Sequence, residues 1–156
     1  QIDTSSAEVL EAALRRYNGK ALVNSVNGKE EVMAAVFPIV KKYGGVVVAL
    51  TLDETGIPET SEGRIKIAQK IIATAEKYGI AKKDIIVDAL TMAVSSDINA
   101  AKATLKTVKN MKTLNIHFCY RRSQSDLKYT LNEFEELGFF KRVRGKKPES
   151  LDDIDI

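Results

Sequence analysis

The chain has 156 residues, 44% of them hydrophobic and 29% charged, with a formal net charge of +3. This is ample for one domain with a sizeable core, and too weakly basic to argue by itself for nucleic acid or a membrane surface. The single Cys119 excludes an internal disulfide. One Cys and one His (His117), both far from clustered carboxylates, argue against a transition-metal site. No apolar run approaches the ~20 residues of a membrane span. No basic region precedes an apolar one at the N-terminus, so no signal peptide is expected, and a reducing, cytoplasmic location is. Position 1 is Gln and the chain opens on what reads as the end of a strand. It is therefore expected to be a piece of something longer, or a processed or recombinant chain.

In chain order, Ser5 followed by Glu8 has the spacing of a capping box. Val9, Leu10, Ala13, Leu14 and Tyr17 then fall on one helical face, and Asn18-Gly19 supplies a stop. Ala21, Leu22 and Val23 read as a short buried strand ending on Asn24, with Ser25, Asn27 and Gly28 after it. A second helix is predicted from about Lys29 to Tyr43, with Val32, Val36, Phe37, Val40 and Tyr43 as its apolar stripe. Pro38 inside it should kink or tighten one turn. After Gly44-Gly45, Val46 to Leu52 is apolar except for Thr51 and rich in β-branched residues. Such a strand is buried on both faces, which favours a parallel sheet.

The loop from Asp53 to Thr60 is polar, interrupted by Gly56 and Pro58, and longer than the ~2–6 residues usual for such a connection. Ser61 is placed to cap a third helix running to Tyr78, with Ile65, Ala68, Ile72, Ala75 and Tyr78 buried and Gly79 as the stop. Asp84 to Val87 reads as the next strand, ending on Asp88. Ala89 to Ser96 then crosses the surface or a strand mouth, and Ser96 or Asp97 caps a fourth helix to about Met111. Leu114 to Tyr120 is predicted as a strand, Ser123 to Leu137 as a helix and Phe139 to Val143 as a last strand. Residues 146–156 are expected to be a flexible tail.

A unit of strand, polar loop, helix and glycine stop thus recurs. The fold class is α/β, with repeated βα units and a parallel sheet or barrel segment. One domain over residues 1–145 is expected. Composition shifts near Lys112, beyond which lie six of the ten aromatic residues and the pair Arg121-Arg122.

Four apolar runs end in a polar group: Asp3, Asn24, Asp53 and Asp88. In α/β proteins ligands bind at the carboxyl ends of parallel strands. A heterocycle with an amidine-like edge presents two parallel donors, which a carboxylate accepts in a fork. An amide both donates and accepts, so it suits ring atoms of mixed character. Asp3, Asn24 and Asp88 therefore fit a flat, nitrogen-rich ring such as a pterin. The competing reading is that these residues only cap the helices that follow. Arg121-Arg122 and the basic run from Lys141 to Lys147 read as a solvated face rather than a phosphate or nucleic-acid grip. His117 reads as a core or edge residue and Cys119 as a small apolar one.

The blocks Gln1-Ile-Asp-Thr-Ser5, Val23-Asn-Ser25, Leu50-Thr-Leu-Asp-Glu-Thr-Gly-Ile-Pro58 and Ile85-Ile-Val-Asp-Ala-Leu90 resemble, in order and spacing, the pterin-binding methyltransferases. That family includes the methyltetrahydrofolate-binding domain of cobalamin-dependent methionine synthase and the methyltetrahydrofolate:corrinoid iron-sulfur protein methyltransferases. The run from Lys41 to Leu50 is similar to the methionine synthase branch. The resemblance covers about residues 1–110, with residues 111–145 a divergent βα extension. It implies a segment of a TIM barrel of the dihydropteroate-synthase-like type, binding methyltetrahydrofolate at its carboxyl face. It carries pterin contacts over to Asp3, Asn24 and Asp88, with Ser25 as their neighbour. It also implies methyl transfer from folate N5 to a corrinoid (cobalamin) held by a partner domain or protein.

Three departures stand out. Two strands that precede Asp3 in the family are absent. Ala89 stands where the family usually has Pro. Beyond about Met111 the expected Gly-x-Ser-Asn-like turn, whose Asn contacts N5, is replaced by Leu114-Asn-Ile-His-Phe-Cys-Tyr-Arg-Arg122. No catalytic residue is therefore assigned, Asn115 included. Two rivals stay open: a dihydropteroate-synthase-like enzyme, and a non-catalytic truncated or recombinant chain re-closed as an open α/β sandwich. Missing strands would leave open sheet edges, so self-association is also expected.

Overall fold

A computed structural model describes residues 1–91 and 98–119. Five strands and four helices alternate through them: β1 (Ile2–Asp3), α1 (Ala7–Leu14), β2 (Leu22–Asn27), α2 (Glu30–Tyr43), β3 (Val46–Leu50), α3 (Ser61–Lys77), β4 (Ile85–Asp88), α4 (Ile98–Thr113) and β5 (Phe118–Cys119). A 3-10 turn, Lys82–Asp84, leads into β4. All strand pairs are parallel, in the order β1-β2-β3-β4-β5. This sequential order has no reversal point, unlike a doubly wound sheet. Among the described residues the sheet stays open, as an arc of a (β/α) barrel.

One core joins one face of this sheet to every helix. Val23, Val26, Val47, Ala49, Ile85 and Val87 meet Leu10 and Leu14 of α1, Phe37 and Val40 of α2, Ile71 and Ala75 of α3, and Val108 and Met111 of α4. Each helix also packs on the next, α1 on α2, α2 on α3 and α3 on α4. The result is a single helix layer over a single sheet. The opposite face carries the alternate residues Asn24, Val48, Leu50, Ile86 and Asp88.

Helix ends follow local chemistry. Ser6, not Ser5, caps α1: its hydroxyl accepts from the Val9 amide. Thr60, not Ser61, caps α3, accepting from the Gly63 amide at 3.2 Å, and Ser61 is the first helical residue, buried. α2 runs unbroken through the exposed Pro38 and ends on Gly44, whose φ of 77° only glycine adopts without penalty.

The apolar stripes are shifted in places. Val9, Tyr17 and Tyr78, expected inward, are exposed, and Ile65 is half-buried. In α3 the buried positions are Ser61, Arg64, Ile67, Ala68, Ile71, Ile72 and Ala75. No helix among the described residues is long and apolar enough to cross a membrane. The cap at Ser96 or Asp97, the helix from Ser123, the strand from Phe139, both arginine-rich runs and the tail lie outside the described residues.

Candidate functional site

β2 does not stop at Asn24 but continues to Asn27 through an irregularity. Asn24 pairs with Val48, and the next paired residue is Val26, opposite Ala49. Ser25 is thus an extra residue on β2, and a cis peptide joins it to Asn24. In an unbroken strand Asn24 and Val26 would share a face. The inserted residue resets the alternation. Val26 enters the core fully buried, while Asn24 keeps the opposite face. The apolar demand of Val26 and the polar character of Asn24 are both met in this way.

Asp3 pairs in register with Asn24. The Asn24 side-chain amide donates to Oδ2 of Asp3 at 3.1 Å. Two of the four sequence candidates are therefore joined directly, Asp3 exposed and Asn24 half-buried, with Ser25 half-buried beside them. Asp88 pairs with Leu50, one pleat repeat beyond the Asn24–Val48 level and on the same face. Two strand spacings of about 4.8 Å and one repeat of about 6.6 Å separate it from Asn24. Asp3, Asn24 and Asp88 thus share one face and one end of the sheet.

Asp88 is held from several sides. It is 4% exposed. Its Oδ1 accepts from the Leu90 amide at 2.7 Å, closing a turn of the Asx type. Its carbonyl accepts from the Thr51 amide at 3.2 Å and from the Thr51 hydroxyl at 3.0 Å. Thr51, the polar residue in the apolar run Val46 to Leu52 and the first after β3, is fully buried, and this pair of bonds explains it. Leu90 has φ of 56°, a left-handed conformation that costs a non-glycine residue on the order of 1–3 kcal/mol.

The loops at the same end are tied together. Gly28 donates its amide to the Leu52 carbonyl at 2.8 Å, and a β-carbon there would lie 2.8 Å from Ile67 Cγ2 and 3.0 Å from that carbonyl. Lys70 donates to the Gly28 carbonyl at 2.8 Å and pairs with Glu30 at 3.0 Å; Glu30 holds the Lys70 ammonium above its ordinary pKa. Glu54 accepts from the Glu30 amide at 3.3 Å. Asp53 accepts from the Thr55 hydroxyl at 2.7 Å and amide at 2.9 Å, which lower its carboxyl pKa. Asp53 and Glu54 therefore organise their own loop and its neighbour.

Arg64 was not legible as a functional residue, since a charge on a helix ordinarily reads as solvent-facing. It is 1% exposed. Nε donates to the Pro58 carbonyl at 2.9 Å. One terminal nitrogen donates to Ala89 O at 2.9 Å, Leu90 O at 3.4 Å and Thr104 Oγ1 at 2.6 Å. Burial lowers its pKa. One signal was in the sequence: Arg64 lies four residues before the predicted core residue Ala68, on the same helical face.

Asn115 lies in the turn between α4 and β5, exposed with φ of 51°, at the end of the sheet opposite to Asp88. His117 is exposed just before β5, not in the core, and its carbonyl accepts from the Val87 amide at 2.8 Å at the sheet's edge.

Sequential parallel strands, one helix layer and polar side chains gathered at the carboxyl end define a class, the ligand-binding domains of (β/α) barrel type. The sequence profile of the pterin binding enzyme family matches residues 1–142. The chain belongs to that family. It is 28% identical to a methionine synthase of Mycobacterium tuberculosis (strain ATCC 25618 / H37Rv) over an alignment of length 121 that covers 71% of this chain and 10% of that protein. It is 32% identical to a methionine synthase of Mycobacterium leprae (strain TN) over an alignment of length 101 that covers 61% of this chain and 8% of that protein. The chain thus spans about a tenth of the length of these curated relatives.

Proposed function

We propose that this chain is the pterin-holding part of a methyltetrahydrofolate-dependent methyltransferase, in which Asp3, Asn24 and Asp88 contact the ring. The observation that carries this reading is the in-register Asp3–Asn24 bond on the sheet face shared with Asp88, in a chain of a pterin-binding family. Asp88 accepts the two parallel donors of the amidine-like edge in a fork, as a carboxylate does, while its Oδ1 also accepts from the Leu90 amide. Asp3 fixes which way the Asn24 amide points, since Nδ2 donates to it, and Oδ1 is the acceptor that the amide offers to a ring. Ser25 stands beside this pair.

In this reading the methyl group passes from folate N5 to a corrinoid held by a partner domain or protein, and the setting is one-carbon metabolism in the cytoplasm. The protein's share is orientation and charge stabilisation at the leaving amine. No described residue is assigned to act on N5.

A second reading is favoured by the Leu90–Asp88 bond: a non-catalytic chain whose strand-end Asp and Asn only close their own turns. Equilibrium dialysis against 5-methyltetrahydrofolate separates the two. Saturable binding at one site per chain is expected. No uptake at high protein concentration would remove the first reading and leave the second. Addition of free cob(I)alamin to the loaded chain then distinguishes holding the folate from transferring its methyl group.

A further inference from the structure

We propose that Arg64 is a positioning residue for Asp88: it clamps the turn after β4 so that the Asp88 carboxylate keeps its direction at the carboxyl end of the sheet. The proposal rests on the reading of Asp88 as a ring contact. Its observations are independent of any ligand.

Arg64 occupies a core position of α3, 1% exposed, in line with Ser61, Ala68, Ile71 and Ala75. Those neighbours are small or apolar, so packing alone asks for an aliphatic side chain. A buried cation is costly unless its donors are used. Among the described residues they are used on neutral oxygens: Pro58 O, Ala89 O, Leu90 O and Thr104 Oγ1. The guanidinium thus links the loop before α3 and the body of α4 to the two residues that follow Asp88.

Leu90 joins the clamp to the carboxylate. Its carbonyl accepts from Arg64, and its amide donates to Asp88 Oδ1 at 2.7 Å. Its φ of 56° is unfavourable for leucine, so the conformation persists because bonds on both sides impose it. Loss of the clamp frees Leu90 to leave the left-handed region, and the amide that aims the carboxylate leaves with it. Lysine cannot replace the clamp in full. Its ammonium is a point charge without the planar fork that reaches separated carbonyls.

The test uses the full chain with Arg64→Gln and Arg64→Lys, the second keeping a buried cation should the first fail to fold. Two quantities are read. The first is hydrogen exchange at the Leu90 amide, which needs no ligand. The second is the dissociation constant for 5-methyltetrahydrofolate, measured for each variant alone and combined with Asp88→Asn. The clamp predicts at least tenfold faster exchange at Leu90, with the amides of β2 and β3 unchanged. It predicts at least fivefold weaker binding in the Asp88 background and none of that loss in the Asp88→Asn background, because the effect passes through Asp88. Unchanged exchange at Leu90 overturns the proposal. Equal losses of affinity in the two backgrounds overturn it as well, since Arg64 would then act by general stability. Faster exchange at Leu90 in the Arg64 variants, with no folate bound even by the wild-type chain, upholds the clamp and defeats only the functional reading.

Discussion

Asp88 and Asp53 both end apolar runs, yet their surroundings separate their roles. Asp88 is buried under Thr51 and Leu90 on the face shared with Asn24. Asp53 is turned into its own loop by two donors from Thr55. The family resemblance likewise left Asp53 outside the ring contacts. Because Thr55 depresses the Asp53 pKa, the contribution of this turn to stability is present above the ordinary carboxyl value of 3.8 and is lost as pH falls through the lower folded value. Thr55→Val is expected to raise the Asp53 pKa, read from its carboxyl carbon shift in an NMR titration. An unchanged pKa would show that the bonds are not kept in solution. Arg64 marks what the sequence hides at this scale. Its partners lie 6, 25, 26 and 40 residues away, so the helical spacing that puts it on the core face does not report which oxygens satisfy its charge there.

Strands and helices were legible as types and order, because apolar runs, glycine stops and β-branched residues act locally. Their ends were less so. Ser5 and Ser6 are equally good cap residues, and only the chain's direction at that point selects Ser6. Thr60 and Ser61 pose the same ambiguity. In β2 the pair Asn24-Ser25 breaks the alternation and reads as a strand end. The strand resumes because Val26 regains the core once one residue is skipped. Cap assignment at α3 is checked by Thr60→Ala, expected to cost about 0.5–2 kcal/mol in denaturant unfolding. Ser61→Ala should leave the Gly63 amide bond intact, so a larger loss at Ser61 than at Thr60 by way of the cap would contradict the assignment. Gly28→Ala is expected to destabilise the carboxyl-end loops, since its β-carbon would meet Ile67 and the Leu52 carbonyl. Faster proteolysis within residues 51–60 reports that outcome.

Across the whole molecule, sequential strand order and a single helix layer put all polar strand ends on one side of an open arc. The recurring βα unit made the parallel sheet legible. The exposure of Asp3 against the burial of Asp88 was not, since it depends on β1 having a strand neighbour on one side only among the described residues. An edge of this kind pairs readily with another chain. Self-association is therefore expected as concentration rises, and light scattering measures it; a monomer throughout would contradict that expectation. The account as a whole turns on whether the Asp3, Asn24 and Asp88 face holds a pterin. The direct measurement is the affinity of the chain for 5-methyltetrahydrofolate, with Asp88→Ala compared against Lys82→Ala at the far end of the sheet. The account predicts a loss of at least ~1.5 kcal/mol for Asp88→Ala, the scale of a hydrogen bond to a charged group, and no change for Lys82→Ala. Equal affinity in all three proteins, or no binding in any, would contradict it.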